Sequence, residues 1–355
     1  MRIGLIAPPW IPVPPPAYGG TEAVVDNLAR GLATLGHDVR LFTVGDSTCP
    51  VPRSWLYRHP VADMGAGEQE AAHVLAAYEE LADVDVIHDH TALGPLLAAG
   101  SPDPLPPVIT TAHGAFDAMR LRTYTRIAET ASIVAISHAQ RRYARHIPIS
   151  TVIHHGIDLD TYVEGPGGGG YLLFVGRMCA DKGVHRAVRI AKQAGRMLVI
   201  ATKIREPAEH RYYEEHVLPL LAPDDPRPIE APLAQRVELM RHADALLNPI
   251  TWPEPFGLVM AESLACGTPV LAYPYGAAPE IVQHGTTGFL CTDEDDMVGA
   301  LDRLPDISRA ACRDAAVTRF STERMARDHE HLYHRITATT AWTMPGEQNA
   351  DLPSA

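Results

Sequence analysis

Twice along this chain, short apolar runs alternate with helix-patterned stretches, and a single glycine run separates the two series. The first series reads RIGLIA, TEAVVDNLARGLATLG, HDVRLFTV, VDVIHDH, PVITTAHG and SIVAISH. The second begins at YLLFVGR (171–177) and continues through RMLVIAT, DALLNPI, TPVLAY and TGFLC. Strand-like runs separated by helical patterns predict βαβ units around a parallel sheet. In the first helix Ala23, Leu28, Leu32 and Leu35 fall near one face, and Gly36 stands just past its end. A chain of 355 residues exceeds what one core usually supports, so two doubly wound α/β domains facing across a cleft are expected.

The divider is EGPGGGG (164–170), which also satisfies the dinucleotide-loop spacing G-x-G-x-x-G from Gly165 to Gly170. That loop should follow a strand and open a helix, whereas this run precedes a strand, so it reads as a flexible linker. The boundaries that follow are an N-terminal domain over 1–165 and a C-terminal domain over 166–320. A C-terminal helix over 321–340 is expected to pack back on the N-terminal domain, with a polar, flexible tail over 341–355.

A formal charge of −13 argues against a nucleic-acid partner. No apolar run approaches the ~20 residues that span a bilayer, and MRIGLIAPPW lacks a basic leader, so no transmembrane segment and a cytoplasmic location are expected. Cys49, Cys179, Cys266, Cys291 and Cys312 form no CxxC pair, which fits thiols in a reducing compartment. The sequence is silent on oligomeric state.

The chemistry concentrates at strand ends, where open α/β sheets bind ligands. EPFGLVMAE (254–262) places Glu254 on a loop after the strand DALLNP and Glu262 inside the helix that follows. The amides of Phe256, Gly257 and Leu258 stand at that helix start without intrahelical partners. GRMCADKG supplies Arg177 at another strand end and Lys182 near a second helix start. The loop PPWIPVPPPAYGGTE (8–22) brings Gly19 and Gly20 to the start of a third. His113 ends the strand of TTAHG, and His88, Asp89 and His90 end another, a weak metal motif without further ligands. Two DxD strings, Asp83–Asp85 and Asp158–Asp160, precede a strand and occupy the domain junction, respectively.

The block EPFGLVMAESLACGTPV closely resembles the E-x7-E signature of the retaining family 4 glycosyltransferases, which have the GT-B fold of two Rossmann-like domains. YGGTEAVVDNLARGLATLGHDVRLFT, DVIHDH, TTAHG, VAISHAQ, VIHHGIDLDTY, LLFVGRMCADKG and GAAPEIVQHGTTGFL resemble family segments in the family order, over about residues 1 to 335. The resemblance implies a hexosyltransferase that moves a sugar from a nucleoside-diphosphate sugar, UDP favoured and GDP next, to a hydroxyl of a small-molecule, glycan or lipid acceptor. It implies Glu262 on the donor ribose, and Glu254 with the amides of Phe256, Gly257 and Leu258 against sugar and phosphate. It further implies Arg177, Lys182, Gly19 and Gly20 at the diphosphate, and His113 beside the sugar in a binding or polarising role. Trp10, Tyr18, His88 and His90 are the acceptor-side candidates. No cofactor and no metal are implied, since cations and helix dipoles replace the metal, and the mechanism implied is a same-face displacement.

A nucleotide-sugar epimerase or hydrolase on the same fold, or a silent nucleotide-sugar-binding protein, are the rivals. Thr202 and Lys203 stand where many members carry a small glycine turn, and PDDPRPIEAPLAQ (223–235) is an unusual strand-and-loop, which bears on the base bound. The short stretch between 44 and 84 bears on the acceptor.

Overall fold

The computed structural model describes residues 1–343 except Tyr18, Pro102 and Asp103. Seven parallel strands form the first sheet: β1 (Arg2–Ile6), β2 (Asp38–Phe42), β3 (Arg53–Ser54), β4 (Val86–Asp89), β5 (Val108–Ala112), β6 (Ser132–Ala135) and β7 (Ile149–Val152). Their order is β3-β2-β1-β4-β5-β6-β7. Five more, β8 (Tyr171–Arg177), β9 (Met197–Lys203), β10 (Ala245–Asn248), β11 (Val270–Ala272) and β12 (Gly288–Leu290), form a second parallel sheet ordered β12-β11-β10-β8-β9. In each sheet the winding direction reverses beside the first strand, between β1 and β4 and between β8 and β10. Ligand crevices of open α/β sheets open outside the strand ends at such reversals. The segments leaving those four strands carry Gly19–Gly20, His90, Arg177–Lys182 and Glu254. The unusual segment 223–235 contributes Ile229, which bridges Ala201 at the edge of β9.

The chain crosses between domains twice, side by side. At the first crossing Ile157 donates its amide to Phe320 O (2.6 Å), and Thr322 of the second returns a bond to Ile157 O (3.2 Å). Arg324 donates to His154 O and His155 O at 2.7 and 3.1 Å, and Asn27 to Gly156 O at 3.0 Å. A Cβ on Gly156 would lie 2.8 Å from Thr322 Cα, so only glycine permits this approach. The last helix, Thr322–Thr343, then lies on the helix Gly20–Thr34, with Met325, Ala326, Leu332 and Tyr333 joining the N-terminal core around Leu5, Val25, Leu28 and Leu32. Residues 341–343 finish that helix; the rest of the expected tail lies outside the described residues.

The glycine run is no flexible linker. Gly165, Gly167 and Gly169 donate their amides to Cys266 O, Arg241 O and His242 O at 2.9–3.0 Å. Arg309 bonds Gly165 O (3.0 Å) within the run, and Arg313 bonds Leu159 O (3.1 Å) in the segment that leads into it, so one guanidinium fastens the run and another its approach. Beside the crossings, Glu280 of the second domain accepts from the amides of His138 (2.9 Å) and Ala139 (2.6 Å) and meets His154 Nε2 at 2.9 Å. Ser137 caps the same helix, His138–Tyr143, by accepting from Gln140 N at 2.9 Å.

Five histidines cluster where β4, β5, the first crossing and the last helix meet. His88 Nδ1 bonds Tyr333 Oη (2.7 Å) and its Nε2 bonds Thr111 Oγ1 (2.8 Å). His88 and His90 rings lie 4.1 Å apart, His88 and His329 5.2 Å, and His113 and His155 stack at 5.3 Å. Burial, reinforced by neighbouring rings, pushes His113 down to about 4 and holds His88, His90 and His155 well below the ordinary range. Burial also takes His329 down to about 4.

Truncating Tyr333 to Ala removes a fully buried ring and the partner of His88, and should lower the unfolding free energy by about 3–5 kcal/mol in urea titration. A second expectation concerns pH. In the unfolded chain these rings titrate near ~6.5, so between there and about 4 the unfolded state binds more protons and the histidines' stabilising contribution falls with falling pH. Burial raises Glu22 to about 7 and Asp89 to about 6, which acts in the opposite sense. The comparison of wild type with His329→Asn isolates one ring. The wild type should lose more stability than the variant between about pH 7 and about pH 5; equal losses would show that His329 is not held neutral.

Candidate active site

Two helix starts meet across the cleft. The helix Leu258–Ala265 begins after Gly257, whose φ of 94° is a left-handed conformation that side-chain-bearing residues rarely adopt. The helix Gly20–Thr34 begins after Gly19. Neither start has a side-chain cap; Ala23 and Met260 donate to Gly19 O and Gly257 O at 3.0 Å, which leaves the amides at the very start of each helix for a ligand. A Cβ on Gly20 would lie 3.3 Å from Leu258 Cδ1, and Leu258 packs against both domain cores. Two positive helix ends are thereby brought to one place, an arrangement that favours an anion.

Glu254 stands beside them. Gly276, at φ 56°, passes so close that a Cβ there would lie 2.3 Å from Glu254 O, and Ala277 donates its amide to that carbonyl at 3.0 Å. The backbone of Glu254 is held in this way from β11's side. Its carboxylate receives Lys182 Nζ at 2.5 Å on Oε1, while Oε2 is buried without a hydrogen-bond partner among the described residues. Both side chains are largely buried, at 14% and 16% exposure. Lys182 Nζ also lies 5.6 Å over the Trp252 ring, whose Nε1 is likewise buried and has no partner among the described residues. Unsatisfied polar atoms in a buried site are costly unless a ligand meets them. Lys182 ends a short 3-10 turn, Ala180–Lys182, and Arg177 ends β8 alongside Lys203 of β9.

Glu262 is not beside Glu254. Burial raises its pKa, opposed by Arg236 and a hydrogen bond from the Tyr162 hydroxyl. The two glutamates of the spacing thus have different partners, a cation for one and a phenol with an arginine for the other. Trp252, Tyr162 and Arg236 went unnoticed in the sequence. Trp252 adjoins the motif and was the legible one, while Tyr162 and Arg236 are distant in sequence.

His113, half-buried, follows β5 and pairs with His90, Nε2 to Nδ1 at 2.9 Å. Its stacking partner His155 packs edge-on to Phe256 at 5.1 Å, so a line of rings runs from the first sheet to the Glu254 turn. Phe256 is itself buried, and its ring is a core contact. The expectation that His88 lines an acceptor surface is corrected: it is fully buried between Tyr333 and Thr111. His90, at 5% exposure, is likewise a core ring that reaches the cleft through His113. Trp10 is partly exposed on the loop after β1, and Tyr18 lies outside the described residues. Glu22, in the first turn of the helix Gly20–Thr34, is a buried carboxyl that the sequence reading passed over.

The DxD strings are engaged by arginines: Asp85 with Arg2 (2.7 Å), Asp83 with Arg40 (2.8 Å) and Asp158 with Arg30 (3.0 Å). Asp89 accepts from Tyr78 Oη (2.7 Å) and Thr91 N (2.8 Å). Among the described residues no group of three or more His, Cys, Asp or Glu side chains is arranged to hold a metal ion, and no helix is long and apolar enough to cross a membrane.

The chain's two halves match two families in turn: Glycosyltransferase Family 4 over residues 18–161 and Glycosyl transferases group 1 over 164–316. It is 27% identical to alpha-maltose-1-phosphate synthase of Mycobacterium tuberculosis over 400 residues, covering 99% of this chain and 98% of that one. It is 28% identical to D-inositol 3-phosphate glycosyltransferase of Mycolicibacterium smegmatis, covering 84% and 82%. A solved glycosyltransferase involved in avilamycin A biosynthesis superposes with a TM-score of 0.68 at 26% identity, covering 96% of this chain and 98% of the other. Sucrose-phosphate synthase from Thermosynechococcus elongatus superposes at 0.78 with 21% identity, covering 96% and 100%. Anabaena HepE, in complex with UDP and glucose, superposes at 0.75 with 18% identity, covering 94% and 100%. With its parallel-sheet domains and its cleft of two facing helix starts, the chain belongs to the GT-B glycosyltransferases and is a transferase enzyme.

Proposed function

We propose that this enzyme transfers a sugar from a nucleoside-diphosphate sugar, UDP favoured and GDP next, to a hydroxyl of a small-molecule, glycan or lipid acceptor, with retention of configuration and without a metal. The observation that carries the reading is the convergence of two uncapped helix starts beside Lys182 and Glu254. A diphosphate gains negative charge as the bond to the sugar breaks, and preorganised amides and cations stabilise that change. Arg177 and Lys182 supply the cations, and Gly19, Gly20, Gly257 and Leu258 the backbone.

The Lys182–Glu254 pair gives the donor a specific way in. A diphosphate competes with Glu254 for the ammonium, and a carboxylate released in this way can accept from sugar hydroxyls through both oxygens. Glu262 takes the ribose diol. In the step itself the bond from the anomeric carbon to the phosphate oxygen breaks, and a bond to the acceptor oxygen forms on the same face. The acceptor proton passes to the departing phosphate. The relatives, an alpha-maltose-1-phosphate synthase and a D-inositol 3-phosphate glycosyltransferase, favour a polyhydroxylated small molecule as the acceptor.

Calorimetry with UDP, GDP, ADP and dTDP and their sugar conjugates tests the donor site. One diphosphate should bind to wild type and lose most of its affinity in Glu262→Ala; no binding by any of them would overturn the reading. Lys182→Met should lower kcat by about 10²–10³-fold. Turnover should survive EDTA, and NMR of the product should show the donor's anomeric configuration. Loss restored by magnesium, or an inverted product, would sink those two parts.

A further inference from the structure

The ring nitrogens of His90 and His113 have unequal surroundings. Nδ1 of His90 and Nε2 of His113 share one hydrogen bond at 2.9 Å. Nε2 of His90 is shut away from solvent and meets no donor or acceptor among the described residues. Of the five clustered rings, His113 alone is half-buried rather than buried; its Nδ1 is not shut away as Nε2 of His90 is, and its stacking partner His155 leads on to Phe256.

Each neutral imidazole carries one proton, and the shared bond allows two arrangements. If His113 donates along it, the proton of His90 sits on Nε2, a buried N–H with nothing to accept it. If His90 donates, its Nε2 is a bare lone pair, Nε2 of His113 accepts, and the proton of His113 sits on Nδ1. Orphaned buried N–H groups are the rarer defect, so the second arrangement is favoured.

We propose that His90 is a positioning residue that fixes the tautomer of His113, so that His113 offers the cleft an Nδ1–H donor and no base. That its acceptor is an oxygen of the donor sugar rests on the glycosyl-transfer reading; the tautomer itself does not. With His113 as a donor, it cannot collect the acceptor's proton, and the departing phosphate remains the group that does.

The test is a long-range proton–nitrogen spectrum of the full chain labelled with ¹⁵N-histidine, with His113 assigned by its loss in His113→Gln. Wild type should show His113 protonated on Nδ1 and bare on Nε2. His90→Asn, whose amide can still donate, should keep that pattern, and His90→Leu should give a mixture. With UDP-glucose as probe, His90→Leu should bind about tenfold more weakly while UDP itself binds unchanged, and His90→Asn should restore most of the difference. A wild-type His113 protonated on Nε2 overturns the proposal, as does a His90→Leu variant with unaltered tautomer. If His90→Leu fails to fold, the wild-type spectrum alone decides. Absence of any UDP binding would count against the function proposed above, while the spectrum would still decide the tautomer.

Discussion

The two domains are held in register by a pair of adjacent chain crossings. Ile157, Phe320 and Thr322 exchange backbone hydrogen bonds there, and the Arg324 guanidinium clasps the carbonyls of His154 and His155. Buried carbonyls need donors, and a single arginine on the last helix supplies two of them. The same helix contributes Tyr333 and Met325 to the opposite core, so the end of the chain belongs structurally to its beginning. Gly20 of one domain and Leu258 of the other meet within that same arrangement.

Within the cleft, backbone does more than side chains. Gly19 and Gly257 precede helices that lack side-chain caps, as the helices Gly67–Glu80, Val184–Gln193 and Leu233–His242 also do, whereas Asp117, Ser137, Asp293 and Ser308 cap theirs. A cap would satisfy the amides and close the site to an anion. Lys182 and Glu254 face each other close by, neutralising charge that would otherwise be unpaired in a poorly hydrated place.

Much of this was legible in the sequence, for identifiable reasons. Strand-and-helix alternation is a local pattern, so both sheets, the helix start at Gly257 and the placing of Glu254 after β10 could be read directly. Four kinds of information could not. The glycine run looked mobile because its composition is that of a linker, whereas its order comes from Arg309 and from the carbonyls of Arg241, His242 and Cys266, all distant in sequence. His88 looked like a cleft residue because it lies near a strand end, but Tyr333 covers it from the far end of the chain. Tyr162 reaches Glu262 across the domain junction, and the Lys182–Glu254 pair joins two separate βα loops. Each depends on which distant segments the topology stacks together, and spacing along one strand or helix does not carry that.

Glu280 adds a property of another kind. The helix His138–Tyr143 has only six residues, and two of its first amides find their acceptor in a carboxylate of the opposite domain. A helix so short is not stable by its own hydrogen bonds. Its first turn is therefore complete only while the domains touch, and local fraying there becomes the same event as separation of the two halves. The amides of His138 and Ala139 act as a built-in clock, exchanging their hydrogens with solvent at the pace at which the cleft opens.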